Sequence, residues 1–235
     1  MLKITVKLKE GNLTSSLQEL GGLRGFSPQL ATLTIIVRVI VCCGVFGLLR
    51  LASVVFGIIP IVLWAVLTKK HYLGLEEFTP EVFLNEFLAI KKFAERIVKI
   101  DKKTKHIVVR LQYLPPADSS IIHPHIQALL TATPPGNLKE LLEASRRYYK
   151  RNSSNFWEDL VKFERENGER YVGNIKNVDW VISFTLSSEY EVLAVVKGKS
   201  SFLELGEDDF KSLADGLCRI LKFFSVKRLN ILGLT

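Results

Sequence analysis

Cysteine is scarce in this chain and badly placed for cross-linking. There are three, with Cys42 and Cys43 adjacent and Cys218 distant. They build no disulfide framework, which points to a reducing compartment. No CxxC pair exists, so cysteine cannot assemble the usual four-ligand zinc site. Histidine is almost as rare, with four in 235 residues, so the position of each one matters. Negative charge is also in deficit. Against 32 Lys and Arg stand 24 Asp and Glu, a formal charge of +8. That surplus permits an anionic partner (nucleotide, nucleic acid or membrane headgroup) without choosing among them. One basic cluster, Lys91 to Arg110, falls largely on the polar side of a helix and the loop after it, the usual solvated face. The other, "RRYYKR" at 146–151, interleaves tyrosines with basic residues as single-strand binders do. Short charge motifs are weak evidence, and nucleic acid is not the expected partner.

What the chain has in quantity is apolar surface. Hydrophobic residues make up 48%, which excludes disorder, and the length suits one large domain or two small ones. The apolar character is densest from Leu30 to Leu67, interrupted by Arg38, Arg50 and Pro60. Within it, "LASVVFGIIPIVLWAVL" is 17 uncharged residues, the short end of a membrane span. It begins too far from Met1 for an ordinary signal peptide. The same stretch suits buried strands, because Val and Ile are abundant and Gly57 and Pro60 break a soluble helix.

The clearest helix is "TPEVFLNEFLAIKKFAERIVKI". Thr79 suits the N-cap, Pro80 the first helical position and Glu81 the positive end of the dipole. Phe83, Phe87, Ile90, Ala94 and Ile97 form one apolar stripe at helical spacing, which is core packing. Further helices are expected at "NLKELLEASRRYYK", "NFWEDLVKFERE" and "EDDFKSLADGLCRILKFF". Strands are expected at "HIVVRLQYL", "RYVGNI", "DWVISFT", "YEVLAVV" and "RLNILGL". An internal repeat is present: "AVLTKKHYLGLEEFTPEVFLNEF" from Ala65 matches "AVVKGKSSFLELGEDDFKSLADGL" from Ala194. Both read as strand, basic turn, short extended piece, acidic helix start and amphipathic helix. The first copy carries His71 where the second has Ser200, so one copy holds chemistry and the other is scaffold. The repeat also makes Ala65 to Leu67 the end of a strand.

Two of the four histidines flank a proline in "HPHIQ", His123 to Gln127. Pro124 argues against helix, and the apolar flanks suit a strand. In an extended chain His123, His125 and Gln127 share one face, with Ile122, Pro124, Ile126 and Ala128 on the other. A neutral imidazole can attack phosphorus, a second can orient the first or bind a metal, and the amide can donate to a phosphate oxygen. The same pattern also suits a strand that is simply polar on its outer side.

"YLPPADSSIIHPHIQALL" resembles the active-site segment of the galactose-1-phosphate uridylyltransferase family, a branch of the histidine triad superfamily with an HPHxQ core. The resemblance runs from Ala65 through "ERYVGNIKNVDW" and "SEYEVLAVV" to the C-terminus. It implies an α+β fold of two related histidine-triad-like halves, each an antiparallel sheet backed by helices, with the second half truncated. On that division 1–60 is an apolar region without family match, 61–150 the first unit carrying the site, and 151–235 a second, partial unit. The implied function is nucleotidyl transfer of the UDP-glucose–hexose-1-phosphate type through a uridylyl-histidine intermediate, with activity reduced or lost. The alternatives are a non-catalytic nucleotide-binding protein and a membrane-associated degenerate member, attached through residues 30–67.

The resemblance implies His125 as nucleophile and Gln127 as the contact to the transferred phosphate. Ser120 matches a serine on phosphate oxygens, with Ser119 beside it. Gln112 stands where the family usually has asparagine, and Asp118 where it usually has glycine. His71 and His123 match zinc-ligand histidines, although the cysteines that complete that site have no match. The partners implied are UDP-glucose and a hexose 1-phosphate; homodimers are common in the family but the oligomeric state is left open, and the expected location is the cytoplasm, with membrane association as the alternative.

Overall fold

A computed structural model describes residues 2–8, 36–37, 61–111, 113, 123–184, 191–226 and 231–234. Their strands are β1 (Leu2–Leu8), β2 (Ile36–Val37), β3 (Ile61–Val66), β4 (His106–Leu111) and β5 (His125–Thr131). Then come β6 (Tyr171–Ile175), β7 (Val178–Ile182), β8 (Glu191–Val196) and β9 (Ile231–Leu234). The helices are α1 (Pro80–Ile100), α2 (Gly136–Asn152), α3 (Phe156–Asn167) and α4 (Glu207–Val226). All strand pairings are antiparallel, in a four-stranded sheet β2-β4-β5-β3 and a five-stranded sheet β6-β7-β8-β1-β9.

The first sheet is organised by the period-two alternation of β5. Ile126, Ala128 and Leu130 are fully buried and share a face with Leu63 and Ala65 of β3 and Val109 and Leu111 of β4, their register partners. The stripe of α1 covers this face: Phe83, Phe87, Ile90 and Ala94 are buried in the same core. Pro80 opens the helix as expected, but Thr79 occupies the N-cap without making a side-chain cap bond. The opposite face of β5 presents His125 and Gln127. Backing by α1 thus fixes which side of the sheet carries the polar groups.

The second sheet is covered on both faces. Val178, Trp180 and Ile182 of β7 face α4, while Val181, with Leu193 and Val195 of β8, meets Val161 and Trp157 of α3. At the start of α4, Asp209 accepts from the Gly206 backbone N–H at 2.7 Å, satisfying a donor that the helix leaves open. Asn155 caps α3 by accepting from Trp157 N–H at 3.0 Å, and Gly168 ends it at φ +71°, a conformation that favours glycine. Midway along α4, Gly216 lies flat against the Trp180 indole, where a Cβ would overlap the ring. The two long helices join the sheets into one core, with the Phe87 and Phe210 rings 5.7 Å apart.

The α+β expectation holds, and so does the repeat. β3 and β8 are each followed by a loop, a short 3-10 turn (Leu75–Glu77 and Phe202–Glu204) and a long helix. The pieces expected to be extended before each helix are those 3-10 turns. Ile61–Val66, the last third of the candidate membrane span, forms an edge strand paired to β5 from Ile61↔Leu130 to Val66↔His125. Among the described residues no helix is long and apolar enough to cross a membrane. Residues 51–60 lie outside the described residues, as do Cys42, Cys43 and Asp118. β1, from the apolar N-terminal region, pairs with β8 and β9 in the second sheet.

Candidate active site

His125 opens β5, and His123 stands ahead of the strand at a bend, separated by Pro124. Proline lacks the N–H that would extend the ladder, although its carbonyl still accepts from Leu67 N–H at 3.0 Å. The expected row of three is therefore two residues on the strand with a third before it. The His123 backbone carbonyl lies 2.7 Å from His125 Nδ1. A carbonyl can only accept, so Nδ1 carries the proton and Nε2 keeps its lone pair. Gln127, two residues along on the same face, places its amide nitrogen 3.0 Å from that Nε2 and donates to it. Both side chains are 2% exposed. The result is a neutral imidazole of fixed tautomer with its nucleophilic nitrogen aimed at an amide donor.

Two further side chains complete this face. Trp64 of β3 lies directly opposite Gln127 in register, and its indole stacks on the His125 ring at 4.8 Å with planes 17° apart. Arg110 of β4 faces Gln127 from the other side. Gln127 is thus flanked in register by a tryptophan on one strand and an arginine, a residue type suited to phosphate, on the other. Beside His125, the Gln127 carbonyl oxygen and the Trp64 indole nitrogen are buried without a hydrogen-bond partner among the described residues. A buried acceptor and a buried donor thus stand open beside one imidazole, each able to form a hydrogen bond with a polar group.

His71 and His123 also come together, with ring centroids 4.8 Å apart at 68°. His123 Nε2 lies 2.5 Å from the Thr68 carbonyl, so it donates there and leaves Nδ1 as the nitrogen able to bind a metal. Among the described residues no group of three or more His, Cys, Asp or Glu could hold an ion, so the pair alone falls short of a four-ligand zinc site. Ser119, Ser120 and Gln112 lie outside the described residues. The fourth histidine, His106, is at the far end of β4, its charged form disfavoured by burial and by the nearby Arg146 and Lys105.

Trp64 and Arg110 were not among the residues singled out from sequence. Trp64 is the one large exception in the aliphatic strand "IVLWAV", and Arg110 interrupts the aliphatic run after His106 in "HIVVRL". That irregularity was the available signal, but only the register shows that both flank Gln127.

The fold is that of the galactose-1-phosphate uridylyltransferase-like proteins. A GalT-like protein from Arabidopsis thaliana superposes with TM-score 0.63 at 19% identity, over 73% of this chain and 55% of that one. An ADP-glucose phosphorylase from the same plant, solved with ADP-glucose bound, gives 0.61 at 16% identity, over 72% and 53%. A uridylyltransferase gives 0.59 at 20% identity, over 68% and 51%. In sequence the chain is 26% identical over 164 residues to an uncharacterized protein of Archaeoglobus fulgidus, covering 70% of this chain and 48% of that protein. No family model matches. The chain spans about half the length of these relatives.

Proposed function

We propose that the protein is a nucleotidyltransferase of the galactose-1-phosphate uridylyltransferase family acting through a nucleotidyl-histidine at His125. The observation that carries this reading is the clamp on the imidazole: Nδ1–H held by the His123 carbonyl, Nε2 unprotonated and facing Gln127. The Nε2 lone pair attacks the α-phosphorus of a nucleoside diphosphate sugar. The N–P bond forms as the P–O bond to the sugar phosphate breaks, and the departing sugar 1-phosphate takes the electron pair. The Nδ1 proton stays in place. As attack proceeds, the Gln127 N–H passes from Nε2 to a phosphoryl oxygen, where charge develops. Arg110 supplies a fixed positive charge to the same group. A second sugar phosphate then reverses the step and receives the nucleotidyl group.

Uridylyl is the group that the HPHIQ resemblance favours, with galactose 1-phosphate as acceptor. The bound ADP-glucose of the phosphorylase with the same fold makes adenylyl the natural comparison. Zinc would take His71 and the free nitrogen of His123, with other ligands from outside the described residues. Metal analysis of the wild type against His71→Ala tests that part.

Intact-protein mass spectrometry after incubation with UDP-glucose or ADP-glucose, beside His125→Ala, tests the reaction. A uridylyl- or adenylyl-sized gain in the wild type alone is expected. A second reading, a binding protein that keeps the fold, is favoured by the near-complete burial of His125. Reversible nucleotide-sugar binding with no mass gain would establish it and sink the first.

A further inference from the structure

The indole stacked on His125 makes neither of the two hydrogen bonds that clamp the imidazole, and the exchange of phosphate does not call for it. Trp64 is on a different strand, and an indole there is costly, because its buried N–H is unpartnered among the described residues. Val66, two residues on along β3 and paired with His125 in register, is 58% exposed, so this edge of the face is open. An aliphatic side chain at 64 would pack on β5 without stranding a donor. What the indole adds is an electron-rich face, parallel to the imidazole within 17° and 4.8 Å away, inside the range at which a cation is attracted to an aromatic ring.

The charge arises in the reaction. His125 attacks as a neutral ring and keeps its Nδ1 proton on the His123 carbonyl. Once Nε2 bonds to phosphorus the ring therefore carries one positive charge, which it loses again when the nucleotidyl group leaves. Among the described residues no carboxylate contacts His125 to balance it. The described contacts of the ring are a carbonyl, an amide and the indole.

We infer that Trp64 is a positioning residue for covalent catalysis: its indole holds the plane of the His125 ring and stabilises the positive charge that the ring carries while bonded to phosphorus. The inference rests on the nucleotidyl-histidine reading above. It assigns β3 a role that neither the HPHIQ motif nor the fold supplies.

The test is the rate of adduct formation with UDP-glucose and with ADP-glucose, followed by intact mass in rapid-quench time points. Trp64→Leu is expected to be slower by about tenfold, the size of a desolvated cation–π contact, with Trp64→Phe within about threefold of the wild type. Nucleotide-sugar affinity, measured by calorimetry in a His125→Ala background to block reaction, should change less than about twofold in either variant, since the ring is neutral in the unreacted protein. Tryptophans with one to three ring fluorines, placed at 64 by codon suppression, keep the shape and weaken the π face. Adduct formation should slow stepwise with each fluorine, and this series carries the test even if Trp64→Leu does not fold. Equal rates across the fluorinated series, with adduct formed in all, would overturn the role of Trp64 and leave the covalent reading standing. No adduct in the wild type with either sugar nucleotide would remove the covalent reading, and the inference with it.

Discussion

Under the proposed function, Gln127 serves chemistry through one amide at little cost to stability. It is buried, donates to His125 Nε2 and leaves its own carbonyl oxygen open among the described residues. Replacing it by leucine removes an unsatisfied acceptor along with one hydrogen bond, so the two effects oppose each other. Gln127→Leu is expected to shift the unfolding free energy by no more than about 1 kcal/mol while slowing adduct formation by about a hundredfold, as loss of an oxyanion donor does. Chemical denaturation beside quenched-flow mass spectrometry checks both; a large stability loss would make Gln127 a structural residue instead. Glu86, on α1, is a different kind of buried polar group. One carboxylate oxygen is buried and unpartnered among the described residues, and burial pushes the group up from 4.5 to about 7. Between those values the folded protein holds a proton that the unfolded chain has released, so stability falls as pH rises from 4.5 to 7 and levels off above. Glu86→Gln should therefore raise the melting temperature by a few degrees at pH 8 and leave it unchanged at pH 4.5. The same shift at both pH values would rule out the charge as the cause.

At the scale of elements, the contact between α4 and β7 sets how closely helix and sheet approach. Gly216 presents no side chain to Trp180, and a methyl group there would overlap the indole. Gly216→Ala should destabilise by about 1–3 kcal/mol through overpacking. Trp180→Phe, which shortens the ring, should recover part of that loss when the two changes are combined. Additive losses in thermal unfolding would show that the ring can simply move aside. Elements whose side chains repeat locally were legible in the sequence: the stripe of α1 is buried where the spacing of Phe83, Phe87, Ile90 and Ala94 puts it. The repeat correctly ended the apolar run in a strand, because β3 and its helix echo β8 and α4. Pairing was not legible. Trp64 faces Gln127, and β1 joins β8 and β9, through register between segments far apart in the chain, which no local period encodes. The candidate site was proposed from its motif, HPHIQ, and its register neighbours, Trp64 and Arg110, were missed for that same reason.

For the molecule as a whole, the question is whether the half carrying His125 depends on the other. The two sheets differ in one respect that separates their roles: α3 covers the outer face of the second sheet with Val161 and Trp157, while the corresponding face of the first carries His125 and Gln127. The halves meet through α1 and α4, and the Phe87 and Phe210 rings, both buried, are 5.7 Å apart across that seam. Each truncation to alanine should cost about 3–5 kcal/mol, as large aromatic cavities do. Because the rings touch, the double variant should lose less than the sum of the singles, by about 1 kcal/mol. The same cycle distinguishes one folding unit from two. If α1 and α4 bind the sheets into a single core, each variant lowers one shared unfolding transition, seen alike by far-UV dichroism and tryptophan fluorescence. Phe210→Ala would then slow adduct formation at His125 near its melting temperature, although Phe210 belongs to the other half. Two resolved transitions, with Phe210→Ala moving only one, would mean that the second half is an independent scaffold and that the site stands on the first sheet and α1 alone.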